Sequence, residues 1–306
     1  MPVYVATKED SGLRLDFVMA NKINRLSRSF INQLAGDGKI TVNNKLSKPS
    51  HKLKIGDKIN VDFDLATLDK VAKLKLPIIY EDEDCVVINK PEGILTHSKG
   101  SFNPEGTVAS WLKERLLNHN SSITRYDPES SESPENSGHE NGREGIVHRL
   151  DRGTSGVIIC AKNQEAQKFL QKQFSQRLVK KTYIAAVRGT LNPPEAIIDI
   201  PIERNPKKPQ TFRTGPNGKS AVTKYKTLKV GSNYSLVELC PQTGRTHQLR
   251  VHLKQLGHPV VGDSFYGGEQ ADRLYLHALK LEITLPGGQQ RKFESPLPPE
   301  FNKMVK

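Results

Sequence analysis

AVTKYKTLKVGSNYSLVELC, residues 221–240, is the stretch that decides the fold. Two strand-like runs flank Gly231-Ser232-Asn233, a turn signal, so the stretch reads as an antiparallel hairpin. LKLEITL and QQRKFESP repeat the plan around Pro286-Gly287-Gly288. Upstream, LPIIYEDEDCVVINKPEGILTH (76–97) reads strand, acidic turn, strand, Pro-Gly loop, and KTYIAAVRG (181–189) reads as a further strand. Three helices lie among these strands. TVASWLKERLL carries Val108, Trp111, Leu112 and Leu116 on one face. NQEAQKFLQKQFSQRL carries Ala166, Phe169, Leu170 and Phe174, with Asn163 as N-cap. THQLRVHLKQLG starts at a Thr246 N-cap and ends at Gly257. Strands outnumber helices and mostly join through hairpins, which predicts an α+β domain with a largely antiparallel sheet.

Residues 12–63 read as a separate compact unit. GLRLDFVMANKIN places Leu13, Phe17, Val18 and Ile23 at roughly helical spacing. Ser27 caps a second short helix, RSFINQLAGDG, with Phe30, Ile31 and Leu34 on its apolar face and Arg28 towards the other. KITVNNKL is a strand with an Asn-Asn turn, and INVDF another strand. DLATLDKVAKLKL (64–76) reads as a linker, giving domains 1–63 and 77–306. Residues 121–143, rich in Ser, Glu, Asn and Pro, read as a flexible acidic loop within the second domain.

The net charge of +13 raises the prior for a polyanionic partner such as nucleic acid. No run of about 18 apolar residues occurs, so no transmembrane helix is expected, and the N-terminus lacks the layout of a signal peptide, which points to the cytoplasm. Cys85, Cys160 and Cys240 each lie in an apolar, strand-like run, a context for buried reduced thiols. Neither CxxC nor HExxH occurs, so no metal site is expected. GPNGKS (215–220) resembles the end of a phosphate-binding loop, but Arg213 stands where that pattern needs glycine and AVTKYK reads as strand.

Two segments concentrate chemistry. In GIVHRLDRGTSGVIICAK (145–162) Asp151 lies between Arg149 and Arg152, in a loop expected to join two strands. Gly153 and Gly156 permit a tight path. Flanking guanidiniums favour an ionised carboxylate, fit either for a structural ion pair or for covalent chemistry. In CPQTGRTHQLRVHLKQLGH, Arg245 precedes a helix N-terminus and Arg250 lies one turn in, a site for an anion or a carboxylate. His247 and His252 read as packing or hydrated surface residues.

NKPEGILTH, HRLDRGTSG, KTYIAAVRG, GRTHQLRVH, GDSFYGG and LYLHALKL occur in this order. From about residue 77 onwards the chain resembles an RluA-type pseudouridine synthase. The segment RLD…SRSFINQLAGDGKITVNNK…KLKIGDKI resembles the RNA-binding domain shared with the fourth small-subunit ribosomal protein, a module carried by ribosomal-RNA members of that family. The resemblance implies a curved antiparallel sheet crossed by an active-site cleft, and uridine isomerisation in RNA without a cofactor. It implies that Asp151 is the catalytic aspartate, that Tyr183 packs on the target base, and that Arg245 pairs with the aspartate. Arg149 then enters the RNA stack where the uridine leaves, and Leu253 lines the pocket. Arg14, Arg28, Lys39 and Lys45 face RNA. The expected partner is large-subunit ribosomal RNA or its precursor particle, with no membrane, and the enzyme is expected to be a monomer. The alternatives are a transfer-RNA substrate, an inactive RNA-binding assembly factor, or a base-releasing glycosidase, which would need a second acid or base and a path for water.

Overall fold

The computed structural model describes residues 3–23, 26, 28–64, 74–97, 105–118 and 145–305. The Ser27 cap, most of the expected linker and the acidic stretch 121–143 lie outside these residues. The chain divides into two compact units, one built mainly on residues 1–74 and one on 75–96 and 144–306.

In the first unit, β1 (Val3–Val5), α1 (Leu15–Lys22), α2 (Arg28–Gly36), β2 (Ile40–Val42), β3 (Lys45–Leu46) and β4 (Lys58–Val61) form two helices beside a four-stranded sheet of order β1-β4-β2-β3. Asn43 and Asn44 both take positive φ (49° and 63°), the conformation that a two-residue hairpin turn demands. The apolar face of α1 differs from the expected one. Leu15, Val18 and Met19 are buried, while Leu13, which precedes the helix, and Phe17 are exposed. Phe17 stays at the surface because the Arg28 guanidinium covers its ring at 5.9 Å.

The second unit contains β5 (Ile78–Glu81), β6 (Cys85–Lys90), β7 (Ser155–Ala161), α4 (Gln164–Ser175), β8 (Lys180–Arg188), β9 (Glu195–Asp199), the small β10 (Ile202–Arg204) and β11 (Phe212–Thr214) pair, β12 (Val222–Val230), β13 (Tyr234–Pro241), α5 (Gln248–Gln255), β14 (Leu276–Thr284), β15 (Gln290–Glu294) and α6 (Pro299–Lys303). α3 (Val108–Asn118) precedes β7 in the chain, and Val108, Trp111 and Leu112 are buried. The large sheet runs β5-β6-β7-β14-β8-β13-β12-β9, with β15 paired to β14. Both predicted hairpins are present, β12–β13 and β14–β15. All pairings in this sheet are antiparallel except β7 with β14, which run parallel. Gly145–Val147, expected as a strand, contributes only a bridge between Ile146 and Cys160.

The parallel β7–β14 seam carries the motif loop. Gly156 sits there at φ 114°, and a Cβ would stand 2.1 Å from the carbonyl oxygen of Ala278, so no side chain fits. The core rests on β8, β13 and β14 with α5, through Ile184, Val187, Val237, Leu239, Leu249, Leu253 and Leu276. Leu253 is fully buried in this core and does not line the cavity described below, so its expected place in the pocket is corrected. It lies one helical turn beyond Leu249, which does line the cavity, and at that depth along the helix its side chain is packed in the core. Cys85 and Cys160 are buried and Cys240 half-buried, and all three are free thiols.

Candidate active site

The loop that bears Asp151 is pinned from three sides. The Lys90 ammonium, wholly buried at the end of β6, donates to the carbonyls of Pro91, Ile94 and Arg152 at 2.8, 2.8 and 3.2 Å. Burial lowers its pKa to about 7. The Thr96 hydroxyl donates to the Leu150 carbonyl and accepts from the Leu150 N–H. Thr154 N–H closes a turn on the Asp151 carbonyl. Asp151 therefore projects from a fixed turn immediately before β7.

Its partner comes from α5. Gln248 locks the start of this helix. Its amide donates to the Val222 carbonyl and the Thr223 hydroxyl, and its carbonyl accepts from Thr243 Oγ1 and Arg245 N–H. The helix opens one residue later than expected. Its N-cap is His247, not Thr246, and His247 takes the left-handed conformation at φ 56°. Arg250 then faces inward. Its guanidinium makes a two-pronged pair with Asp263 at 2.7 and 2.8 Å and reaches Oδ2 of Asp151 at 3.3 Å. Burial works against its charge, but the bonds to Asp263 and Asp151 outweigh burial and raise its pKa. Asp263 also accepts from Phe265 N–H and Tyr266 N–H, so the carboxylate behind Arg250 is itself held.

The expected pairing of Arg245 with Asp151 is thus corrected. Arg245 leaves the chain before the helix, is half-exposed, and donates from Nε to the Ser220 carbonyl. The inward turn of α5 gives the aspartate to Arg250 instead. Arg245 stays at the rim.

Asp151, Arg250 and Arg245 line one cavity of about 530 Å³ together with Arg149, Tyr183, His247, Lys181, Arg177, Leu249 and Leu276. Tyr183 enters from β8, and burial, with Asp151 adding to it, pushes its phenol pKa up. The phenol stays neutral, suited to stacking and hydrogen bonding. Lys181, two residues earlier on the same face of β8, donates to the Thr243 carbonyl at 3.3 Å, and burial draws its pKa down to about 8. His148 accepts from Ile159 N–H and stacks on Phe174 at 4.5 Å; burial lowers its pKa to about 3, so it is neutral. Among the described residues the cavity wall holds one carboxylate, Asp151, and five Arg and Lys side chains, Arg149, Arg177, Lys181, Arg245 and Arg250. A space with one carboxylate among several cations favours a polyanion.

Among the expected RNA-facing residues of the first unit, Arg14 and Arg28 converge. Arg14 binds Asp16 through two bonds at 3.0 and 2.9 Å, and Arg28 adds a third at 3.0 Å. Arg14, followed by burial working the other way and Arg28, sets the Asp16 pKa below the usual carboxylate range. Lys39 and Lys45 are exposed, before β2 and on β3. The reading of residue types did not single out Lys90, Lys181, Asp263 or Tyr266, although all four stand inside quoted motifs. Among the described residues no cluster of three or more His, Cys, Asp or Glu is placed to hold a metal ion, and no helix is long and apolar enough to cross a membrane.

This fold and site define a class. Residues 84–255 match the RNA pseudouridylate synthase family, and residues 13–59 match the S4 domain. The chain belongs to the RNA pseudouridylate synthase family and is an RNA pseudouridine synthase. Among its relatives is ribosomal large subunit pseudouridine synthase D of Borreliella burgdorferi, 37% identical, with 96% of this chain and 89% of the relative covered. The uncharacterized RNA pseudouridine synthase YlyB of Bacillus subtilis is 33% identical, with 98% and 95% covered. Human RNA pseudouridylate synthase domain containing 1 shares the fold at TM-score 0.56 and 29% identity, covering 72% of this chain and 83% of that one.

Proposed function

We propose that the protein isomerises specific uridines of large-subunit ribosomal RNA, with Asp151 as the reacting carboxylate and no cofactor. The observation that carries this reading is Asp151, held by Arg250 with Asp263 behind it, in a cavity it shares with Tyr183 and in which it is the one carboxylate among five Arg and Lys side chains of the described lining. Three relatives named as ribosomal large subunit synthases support the substrate. In the reaction the bond from base N1 to ribose C1′ breaks, the base turns, and C5 bonds to C1′. The C5 proton leaves and N1 gains one, so atoms and electrons balance without redox or energy input. Breaking that bond builds positive charge at C1′, which a fixed carboxylate stabilises or traps.

Arg250 keeps Asp151 oriented, and Tyr183 holds the detached base by stacking. Arg149, exposed at the cavity mouth, fills the stack that the flipped uridine vacates, offsetting an unstacking cost of a few kcal/mol. Arg245 at the rim contacts phosphate. Residues 1–63, with Arg14, Arg28, Lys39 and Lys45, form the RNA-binding domain; 64–76 link it to the catalytic domain 77–306. A base-releasing glycosidase would need a second acid or base and a path for water, and free uracil among the products would reveal it; among the described residues Asp151 is the one carboxylate lining the cavity.

The test is a pseudouridine map of unmodified total RNA incubated with wild type or with Asp151→Ala. New sites in large-subunit ribosomal RNA with wild type alone are expected. Sites confined to transfer RNA would overturn the substrate. Equal modification by Asp151→Ala would overturn the role of the carboxylate.

A further inference from the structure

His247 is a strained residue at the centre of the site. A histidine at φ 56° on a helix N-terminus carries a conformational cost, and the structure over-determines it. Its ring packs edge-on against Phe212 and Tyr266, at 5.7 and 5.6 Å. Nδ1 lies 2.7 Å from the Tyr266 hydroxyl. That hydroxyl already accepts from the Phe212 N–H at 2.9 Å, which leaves its own hydrogen available to Nδ1. Because Nε2 lies on the side of the Asp151 carboxylate, which can only accept, the arrangement favours Nδ1 as acceptor and the ring proton on Nε2. Nε2 stands 3.9 Å from Oδ2 of Asp151, longer than a hydrogen bond but facing it. Arg250 contacts the same oxygen at 3.3 Å. Both contacts fall on Oδ2.

We propose that His247 is a positioning residue of the reaction: fixed in one tautomer by Tyr266, it joins Arg250 in holding Oδ2 of Asp151 and leaves Oδ1 to meet the substrate. This rests on the reading of Asp151 as the reacting carboxylate. The charged and titratable groups around the ring are Asp151 and Arg149 from the motif loop, Arg250 from its own helix, and Asp263 and Tyr266 from the segment that follows. Burial, the largest of these influences, lowers the His247 pKa and keeps the ring neutral, as the tautomer requires. The phenol in this line is anchored by β11, so the β10–β11 hairpin, which carries Arg204 and Arg213, is tied through Tyr266 and His247 to the carboxylate.

Nitrogen-15 histidine NMR of the full chain near neutral pH tests the tautomer directly, with His247→Gln identifying the signal among nine histidines. An unprotonated Nδ1 and a protonated Nε2 are expected. An Nδ1–H ring or an imidazolium would overturn the proposal. Single-turnover modification of unmodified ribosomal RNA supplies the second readout. Tyr266→Phe and His247→Gln should each slow it roughly ten- to a hundredfold at unchanged RNA Kd, as small misplacements of a reacting group do. The double variant should be no slower than His247→Gln alone. A wild-type rate in Tyr266→Phe, or a loss that lies wholly in Kd, would sink the positioning role. Turnover retained by Asp151→Asn would instead remove the underlying reading of Asp151, and the tautomer measurement would be unaffected by that failure.

Discussion

Arg250 and Arg245 stand five residues apart in one motif, and their environments differ completely. Arg250 is buried between two carboxylates, Asp151 and Asp263, with its guanidinium over the Tyr266 ring at 5.1 Å. Arg245 reaches one backbone carbonyl at the rim. Removing Arg250 leaves the buried Asp263 charge unpaired. Arg250→Met is therefore expected to cost about 3–5 kcal/mol of stability. Arg245→Met should stay within about 0.5 kcal/mol of wild type. Urea unfolding of the two variants checks this, and equal midpoints would show that the Asp263 pair contributes nothing. The residue types alone admitted either arginine as the partner of Asp151. What separates them is their surroundings in the fold: Arg250 on α5 meets Asp263 and Asp151, while Arg245 precedes the helix and meets the Ser220 carbonyl. Asp151 lies far away in sequence, so local spacing does not carry the choice.

Local rules served well for elements whose partners are adjacent. Both large hairpins, the Asn-Asn turn and the Asn163 cap, which accepts from Ala166 N–H at 2.8 Å, all lie where turn and cap residues place them. Two elements were not legible. The apolar spacing counted on α1 included Leu13, although the helix begins at Leu15, and Phe17 is sheltered by Arg28 rather than by the core. The parallel β7–β14 seam joins segments more than a hundred residues apart, and no turn signal announces such a pairing. The same seam buries a titratable group. His277 on β14, fully buried, lies 2.8 Å from Ser155 Oγ on β7, and burial lowers its pKa to about 4. Between about pH 6.5 and pH 4 the unfolded chain binds a proton that the folded chain refuses, so stability rises with pH across that window. Acidifying from pH 7 to pH 5 should cost about 2 kcal/mol through this group. Urea titrations at the two pH values should show the loss, and His277→Gln should reduce it by about 2 kcal/mol, leaving the part that His148 contributes. A variant as pH-sensitive as wild type would assign the loss to other groups.

Over the whole molecule the excess of 46 Lys and Arg over 33 Asp and Glu is the feature most visible before any folding argument. Charge alone left the partner open between RNA and another polyanion. The motifs narrowed it, and five of the cationic side chains stand in the wall of the cavity. If residues 1–63 grip RNA, deleting them should weaken binding and flatten its salt dependence. Each lost phosphate contact should remove roughly 0.7–0.9 from the log–log slope. Binding titrations from low to moderate salt measure that slope, and an unchanged slope would show that the small domain makes no phosphate contact.

Asp151 and the guanidinium that holds it are 99 residues apart in the chain. During synthesis the carboxylate leaves the exit tunnel many seconds before its clamp does, at about 5–20 residues per second. β14, which seats β7 beside β8, follows later still. A nascent chain arrested in that interval presents the HRLD loop with no cavity around it, so the cavity closes around the carboxylate only after Arg250 and Leu276–Thr284 have followed it out.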